Sequence, residues 1–157
     1  MKALPLALLL ASSLLGQAAA PTRLGPPRPV AAPATQTVTV VITALASPQS
    51  VVRLNFYNAP ETFLKHGKQA FRLVVKPEGK TELSVPVELA PGEWAVALTQ
   101  DTNNNDKLDK NFLGIPTEPF AFSNNVRPRL SAPSFKECEF TVDGPGKVVA
   151  ISSWNNL

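Results

Sequence analysis

From Gln36 onward, apolar side chains recur at every second residue. Val38, Val40 and Ile42 alternate with Thr39 and Val41, Val52, Leu54 and Phe56 with Arg53, Asn55 and Tyr57, and Phe71, Leu73 and Val75 with Arg72, Val74 and Lys76. The pattern resumes in Leu83, Val85, Val87 and Leu89, in Trp94, Val96 and Leu98, and in Cys138, Phe140 and Val142, and it ends with Val149 and Ile151. A period of two sends alternate side chains to opposite faces of an extended chain, which predicts about seven half-buried strands. Pro77-Glu78-Gly79-Lys80 predicts a hairpin turn, and Ala90-Pro91-Gly92 and Asp143-Gly144-Pro145-Gly146 predict further strand connections. Pro86 inside a strand pattern points to an edge strand or a bulge. One short helix is expected after Asn58, which would cap it, with Pro60 in the first turn, Glu61 three residues on and Gly67 at its end. The fold class is therefore all-β: an antiparallel β-sandwich, immunoglobulin-like or transthyretin-like, over residues 36–157, with a small barrel as the alternative.

The first thirty-five residues follow another logic. Residues 1–20 read as a secretory signal peptide: Lys2, an apolar run over Ala3–Leu15, then small residues in GQAAA. Cleavage is expected between Ala18 and Ala19, because a cut after Ala20 would leave the Pro21 ring at the scissile bond. No cysteine follows the run, which excludes a lipidated start, and no transmembrane segment is expected after cleavage. Residues 21–35 are Pro-rich and read as an extended linker. The expected location is periplasmic or secreted.

Composition removes several function classes. Of 157 residues, 15 are Lys or Arg and 12 are Asp or Glu. Lys2, Arg23 and Arg28 lie before residue 36, so the body is balanced in charge, and no basic stripe with interleaved aromatics supports nucleic-acid binding. The single Cys and single His exclude a disulfide framework and any multi-Cys or multi-His metal site. His66, beside Lys65 and Lys68 at the expected helix end, reads as a surface residue. Cys138 is expected on the strand face of Phe140 and Val142, buried and inert, with neighbouring Glu137 and Glu139 raising its pKa.

Candidate chemistry gathers between residues 101 and 133, where alternation stops and anchors such as Phe112, Leu113, Ile115, Phe120 and Phe122 remain. Asp101, Asn103, Asn105 and Asp109 occupy positions 1, 3, 5 and 9 of an EF-hand-like loop, with the Lys107 carbonyl at position 7. Alternate oxygen ligands converge when the chain curls around an ion, so calcium is the candidate cofactor. Against it, Asp106 stands where Gly is usual and Phe112 where a bidentate Glu is usual. The competing expectation is an Asn/Asp-rich turn bonded to its own backbone.

The stretch PGEWAVALTQDTNNNDKLDKNFLGIPTEPFAFSNN, residues 91–125, resembles the signature of the bacterial exported family known as domain of unknown function 2141. The likeness extends over about Val38–Ile151. Gln100 stands where a His is common, Trp94 where Tyr is common and Ala121 where Gly is common, and Asn104 and Asp106 replace glycines. The resemblance implies a small secreted or periplasmic β-domain and supplies no activity. It adds Asn111, Gly114, Pro116, Glu118, Phe122, Ser123, Asn124 and Asn125 to the candidate functional loop.

Two functions compete. The first is a non-enzymatic binding or structural module of the cell envelope, whose partner is an envelope protein or a glycan. The second is a hydrolase that uses the loop carboxylates. Carboxylates converging in an open cleft would favour the enzyme, and carboxylates folded inward around one point would favour an ion.

Overall fold

A computed structural model describes residues 34–128 and 131–154. The expected signal peptide and nearly all of the expected linker lie outside these residues. Among the described residues, eight strands form two sheets. In the first, β1 (Gln36–Thr43) lies between β4 (Leu83–Leu89), antiparallel to it, and β8 (Lys147–Ser152), parallel to it. In the second, β2 (Val51–Tyr57) lies between β3 (Phe71–Val75) and β5 (Gly92–Asp101), and both pairings are antiparallel. The free edge of β5 is shared: β7 (Phe140–Val142) pairs with its first residues and β6 (Phe120–Phe122) with Ala97–Thr99. The β-sandwich expected from the alternation is present, without a closed barrel, and with one parallel pairing that alternation does not reveal.

The period of two becomes the core. Val38, Val40 and Ile42 of β1 and Val149 and Ile151 of β8 meet Val52, Leu54 and Phe56 of β2 and Trp94, Val96 and Leu98 of β5 in one buried cluster. Burying each such side chain contributes about 1.5–3 kcal/mol. Trp94 is a core residue, stacked edge-on against Phe71 at 6.0 Å and donating from its indole N–H to the Ala90 carbonyl at 2.8 Å. Pro86 sits on β4, an edge strand, opposite Thr39.

A second, smaller core covers the other face of β5. Ala95 and Ala97 are small enough there for Tyr57, Phe63, Phe120, Phe122, Phe135 and Cys138 to pack beside them. Phe63 meets Tyr57 at 5.3 Å and Phe135 at 5.7 Å, both edge-on.

Three expectations change. The segment from Asn58 to Gly67 is a run of turns rather than a helix, bonded Thr62 N–H to Ala59 carbonyl and Phe63 N–H to Pro60 carbonyl, and broken at Leu64, where φ is 57°. So few residues do not offset the cost of helix nucleation, and Phe63 is held by tertiary packing instead. Among the described residues the α-helical turn, α1, is Phe135–Cys138, closed by a reciprocal capping box between Ser134 and Glu137. Cys138 therefore ends a helical turn and faces the second core, whereas Phe140 and Val142 face the first. The Pro77–Lys80 turn does not make a hairpin: like the 90–92 and 143–146 connections, it carries the chain from one sheet to the other. Gly79 at φ +87° and Gly92 at φ +135° supply the left-handed backbone these crossings need.

Burial, and then the charge of Glu137, pushes the Cys138 thiol up to about 12. Thiol-reactive probes are expected to label the folded protein slowly at neutral pH and rapidly in denaturant. Fast labelling without denaturant would show that the second core is open.

Candidate functional site

β5 ends in two adjacent polar residues with no exposure, Gln100 and Asp101. Gln100 fastens the 44–50 segment: its Oε1 accepts from the Ala46 N–H at 2.9 Å and its Nε2 donates to the Ser47 carbonyl. Asp101 faces the outer side of the second sheet, where β2 supplies Arg53. Arg53 Nη2 donates to Asp101 Oδ2 at 2.6 Å, and the side chains are 10% and 0% exposed. Arg53 Nε also lies 2.9 Å from Asp106 Oδ1, off the N–H direction, so this contact is an ion pair rather than a hydrogen bond. The Asp101 carboxylate further accepts from the Asn105 N–H at 3.2 Å and the Asp106 N–H at 2.9 Å. Burial works to raise its pKa. The Arg53 and backbone hydrogen bonds, with the guanidinium charge, outweigh burial and hold it below the ordinary carboxylate value.

The next residues bond among themselves. Asn103 Oδ1 accepts from the Asn105 N–H at 3.1 Å, and Asn105 Oδ1 accepts from the Lys107 N–H at 2.9 Å, two successive Asx turns. The amides of Asn103 and Asn105 both donate to Asp109, at 2.6 and 2.9 Å. Asn104 at φ 59° and Asp106 at φ 62° occupy the left-handed region. These are the positions where the resembling pattern has glycine, and Asn and Asp tolerate that backbone best among the other residues. Glu118, 3% exposed, closes the base of the loop, accepting from the Thr102 N–H at 2.8 Å and the Asp109 N–H at 3.2 Å.

Of the expected calcium ligands, Asn103, Asn105 and Asp109 are thus brought together, and Lys107 is their neighbour in the turn. Asp101 is shared between Arg53 and the N–H groups of Asn105 and Asp106. A cation at the cluster would take Asp109 oxygens after the asparagine amides turn their oxygens inward, and would share Asp101 with a guanidinium.

The rest of the candidate loop divides into a tip and a clamp. Lys110 and Pro116 bridge the base of a hairpin. Within it Asn111 Oδ1 accepts from the N–H groups of Leu113 and Ile115, both at 3.0 Å, and Gly114 turns the chain at φ +79°. This tip leaves Phe112 95% and Leu113 67% exposed. Phe122, Ser123, Asn124 and Asn125 form the clamp. Phe122 is in the second core, and buried Ser123 accepts from the Val96 N–H and donates to the Cys138 carbonyl. Asn124, at φ 61°, donates to the Glu137 and Glu139 carbonyls, and Asn125 accepts from the Ser152 N–H at 2.7 Å. These four residues hold β5, α1 and β8 together.

The outer face of the second sheet also floors a cleft of about 990 Å³, between the 64–69 segment and the 106–116 loop. Arg53, Lys65, Arg72, Lys107 and Lys110 line it against one carboxylate, Asp106, and His66 is at its edge. Sequence reasoning missed Arg53 and Arg72 as site residues. Both alternate outward on their strands, but only the register that sets Asn55 opposite Arg72 and Arg53 opposite Thr99 brings them to the loop.

A family model described as "uncharacterized protein conserved in bacteria (DUF2141)" matches residues 40–150, from β1 to β8, and the chain belongs to that family. No curated protein and no solved structure matches the chain.

Arg53→Ala leaves Asp101 buried and unpaired, so a loss of about 3–5 kcal/mol is expected near neutral pH. Because the folded pKa of Asp101 is depressed, the stabilisation it brings is complete above about pH 4 and is lost as pH falls through the folded value. The deficit of the variant should therefore shrink on acidification, as protonation removes the unpaired charge. Urea denaturation across acid and neutral pH measures both, and a deficit independent of pH would show that Arg53 does not serve the Asp101 charge.

Proposed function

We propose, with membership of this bacterial family as the premise, that the domain is exported and works by binding, as a module of the cell envelope. The 101–125 segment is its ligand face, and the partner is an envelope component. The observation that carries the reading is the division of labour in that segment. Its carboxylates are spent on bracing, Asp101 on Arg53 and Glu118 on backbone N–H groups, while Phe112 and Leu113 are held outward on a bonded turn. A loop ordered before its ligand arrives avoids the entropy of ordering on binding. The hydrolase reading needs carboxylates poised to exchange protons, and an Asp101 held ionised by Arg53 suits a structural anion instead.

Export rests on the N-terminal pattern, the charged start, the apolar run and the small residues before Pro21. Mass spectrometry of the protein from the periplasm or the medium is expected to find a chain beginning at Ala19. Intact Met1 on that material, or retention of the protein in the cytoplasm, would overturn the export reading.

Calcium is proposed as a weak ligand of the Asn103, Asn105 and Asp109 cluster, with the Lys107 carbonyl and a shared Asp101. With so few free anionic oxygens, the expected affinity is in the ~10⁻⁴–10⁻³ M range of extracellular modules. At 100 times the dissociation constant, binding would stabilise the fold by about 2.7 kcal/mol. Thermal melting in calcium at that excess, about 10–100 mM, and in chelator tests it, with Asp109→Ala as the variant that should lose the difference. Asp101→Ala is a poor choice, because it also strands Arg53. Equal melting temperatures in the two conditions would leave the segment a self-bonded turn.

A further inference from the structure

We infer that the 110–116 hairpin and the basic mouth of the cleft beside it dock on an anionic phospholipid surface; this rests on the reading of the 101–125 segment as the binding face. The tip is apolar and exposed in an ordered way. Phe112 is 95%, Leu113 67% and Ile115 39% exposed, yet the N–H groups of Leu113 and Ile115 are both bonded to Asn111 Oδ1. Two large apolar side chains on a fixed turn are ready to enter the boundary between headgroups and acyl chains, where apolar burial drives attachment.

Charge selects the lipid. Leu113 and Ile115 line the same cleft as Lys65, Arg72, Lys107 and Lys110, so the apolar tip and these cations share one mouth. The nearby acids are engaged: Asp101 and Asp106 with Arg53, Asp109 with the two asparagine amides, and Glu118 with backbone N–H groups. Lys65, Lys107 and Lys110 have no ion-pair partner among the described residues, while Arg72 lies 4.0 Å from Asp106. Basic side chains beside an inserting apolar tip are complementary to lipid phosphates, and they add to the attachment without needing a particular headgroup. Val74 and Val148 are exposed singly on strands, whereas the large apolar side chains of the tip are clustered, which suits a soft surface that closes around them better than the extended complementary face of a protein partner.

Sedimentation of the exported, processed protein with vesicles tests the inference. Binding is expected to vesicles of phosphatidylcholine containing phosphatidylglycerol and to be much weaker with phosphatidylcholine alone. Phe112→Ser with Leu113→Ser should weaken it by about tenfold or more without changing the melting temperature, since both side chains are exposed. Lys107→Gln and Lys110→Gln should each cost about fivefold and flatten the salt dependence. No binding to either vesicle, or binding that the double serine variant leaves unchanged, would overturn the inference. Self-association in analytical ultracentrifugation that the same variant abolishes would also overturn it, by assigning the tip to a second copy of the chain. A processed, exported protein that fails on vesicles loses this inference alone, because export and calcium-dependent melting are read separately.

Discussion

The buried pair of Arg53 and Asp101 is the contact on which the site depends. Two charges removed from water cost several kcal/mol each, and their mutual attraction offsets this only with good geometry and further hydrogen bonds. Here the geometry is a 2.6 Å contact, and the further bonds come from the N–H groups of Asn105 and Asp106. The loop backbone thus completes the solvation of a carboxylate anchored at the end of β5. Without the loop, Asp101 would lose two donors. Without Asp101, the loop would lose its first fixed point. Two dozen residues with little regular structure take a defined course because an ionic demand in the sheet is met by their main chain.

The other end of the loop is fixed by an equivalent device made of neutral groups. Ser123 reaches both the β5 backbone and the end of α1, and Asn124 and Asn125 reach α1 and β8. Both ends of the segment are therefore tied to β5, a strand buried on both faces. The hairpin between them is thus held from a largely buried strand, while Phe112 at its tip is 95% exposed. This explains how exposed aromatic surface and local order coexist at Phe112.

Most of the sandwich was legible in the chain because its strands are one-sided. Wherever one face is buried and the other wetter, as in β1, β4 and β8, alternation reports both the strand and its inward residues. Legibility failed where that contrast vanishes. β5 carries Ala95 and Ala97 on its second buried face, and alternation does not say that a small core covers them. Cys138 matched a strand period with Phe140 by coincidence of spacing, although Ser134 and Glu137 carried a capping-box signal that marks a helical turn. The turns at 77–80, 90–92 and 143–146 were recognisable from Pro and Gly, but turn chemistry fixes a local bend and not the sheet the chain enters next. In the loop, the Asn and Asp spacing marked the curled segment. The partner that organises it, Arg53, lies 48 residues away from Asp101 in sequence, and such a register is invisible to local pattern.

The parallel pairing of β1 with β8 has a consequence for how the molecule comes into being. Val38 faces Lys147 and Thr43 faces Ser152, so the first strand of the sandwich waits for the last before its sheet is complete. Closing so long a stretch of chain is entropically costly and slow, and it postpones cooperative folding of the sandwich until β8 has been made. Meanwhile the edge of β1 that β8 will cover remains open to wrong neighbours. However early β1 is made, a sandwich with this topology completes its first sheet only once β8 is available to pair with it.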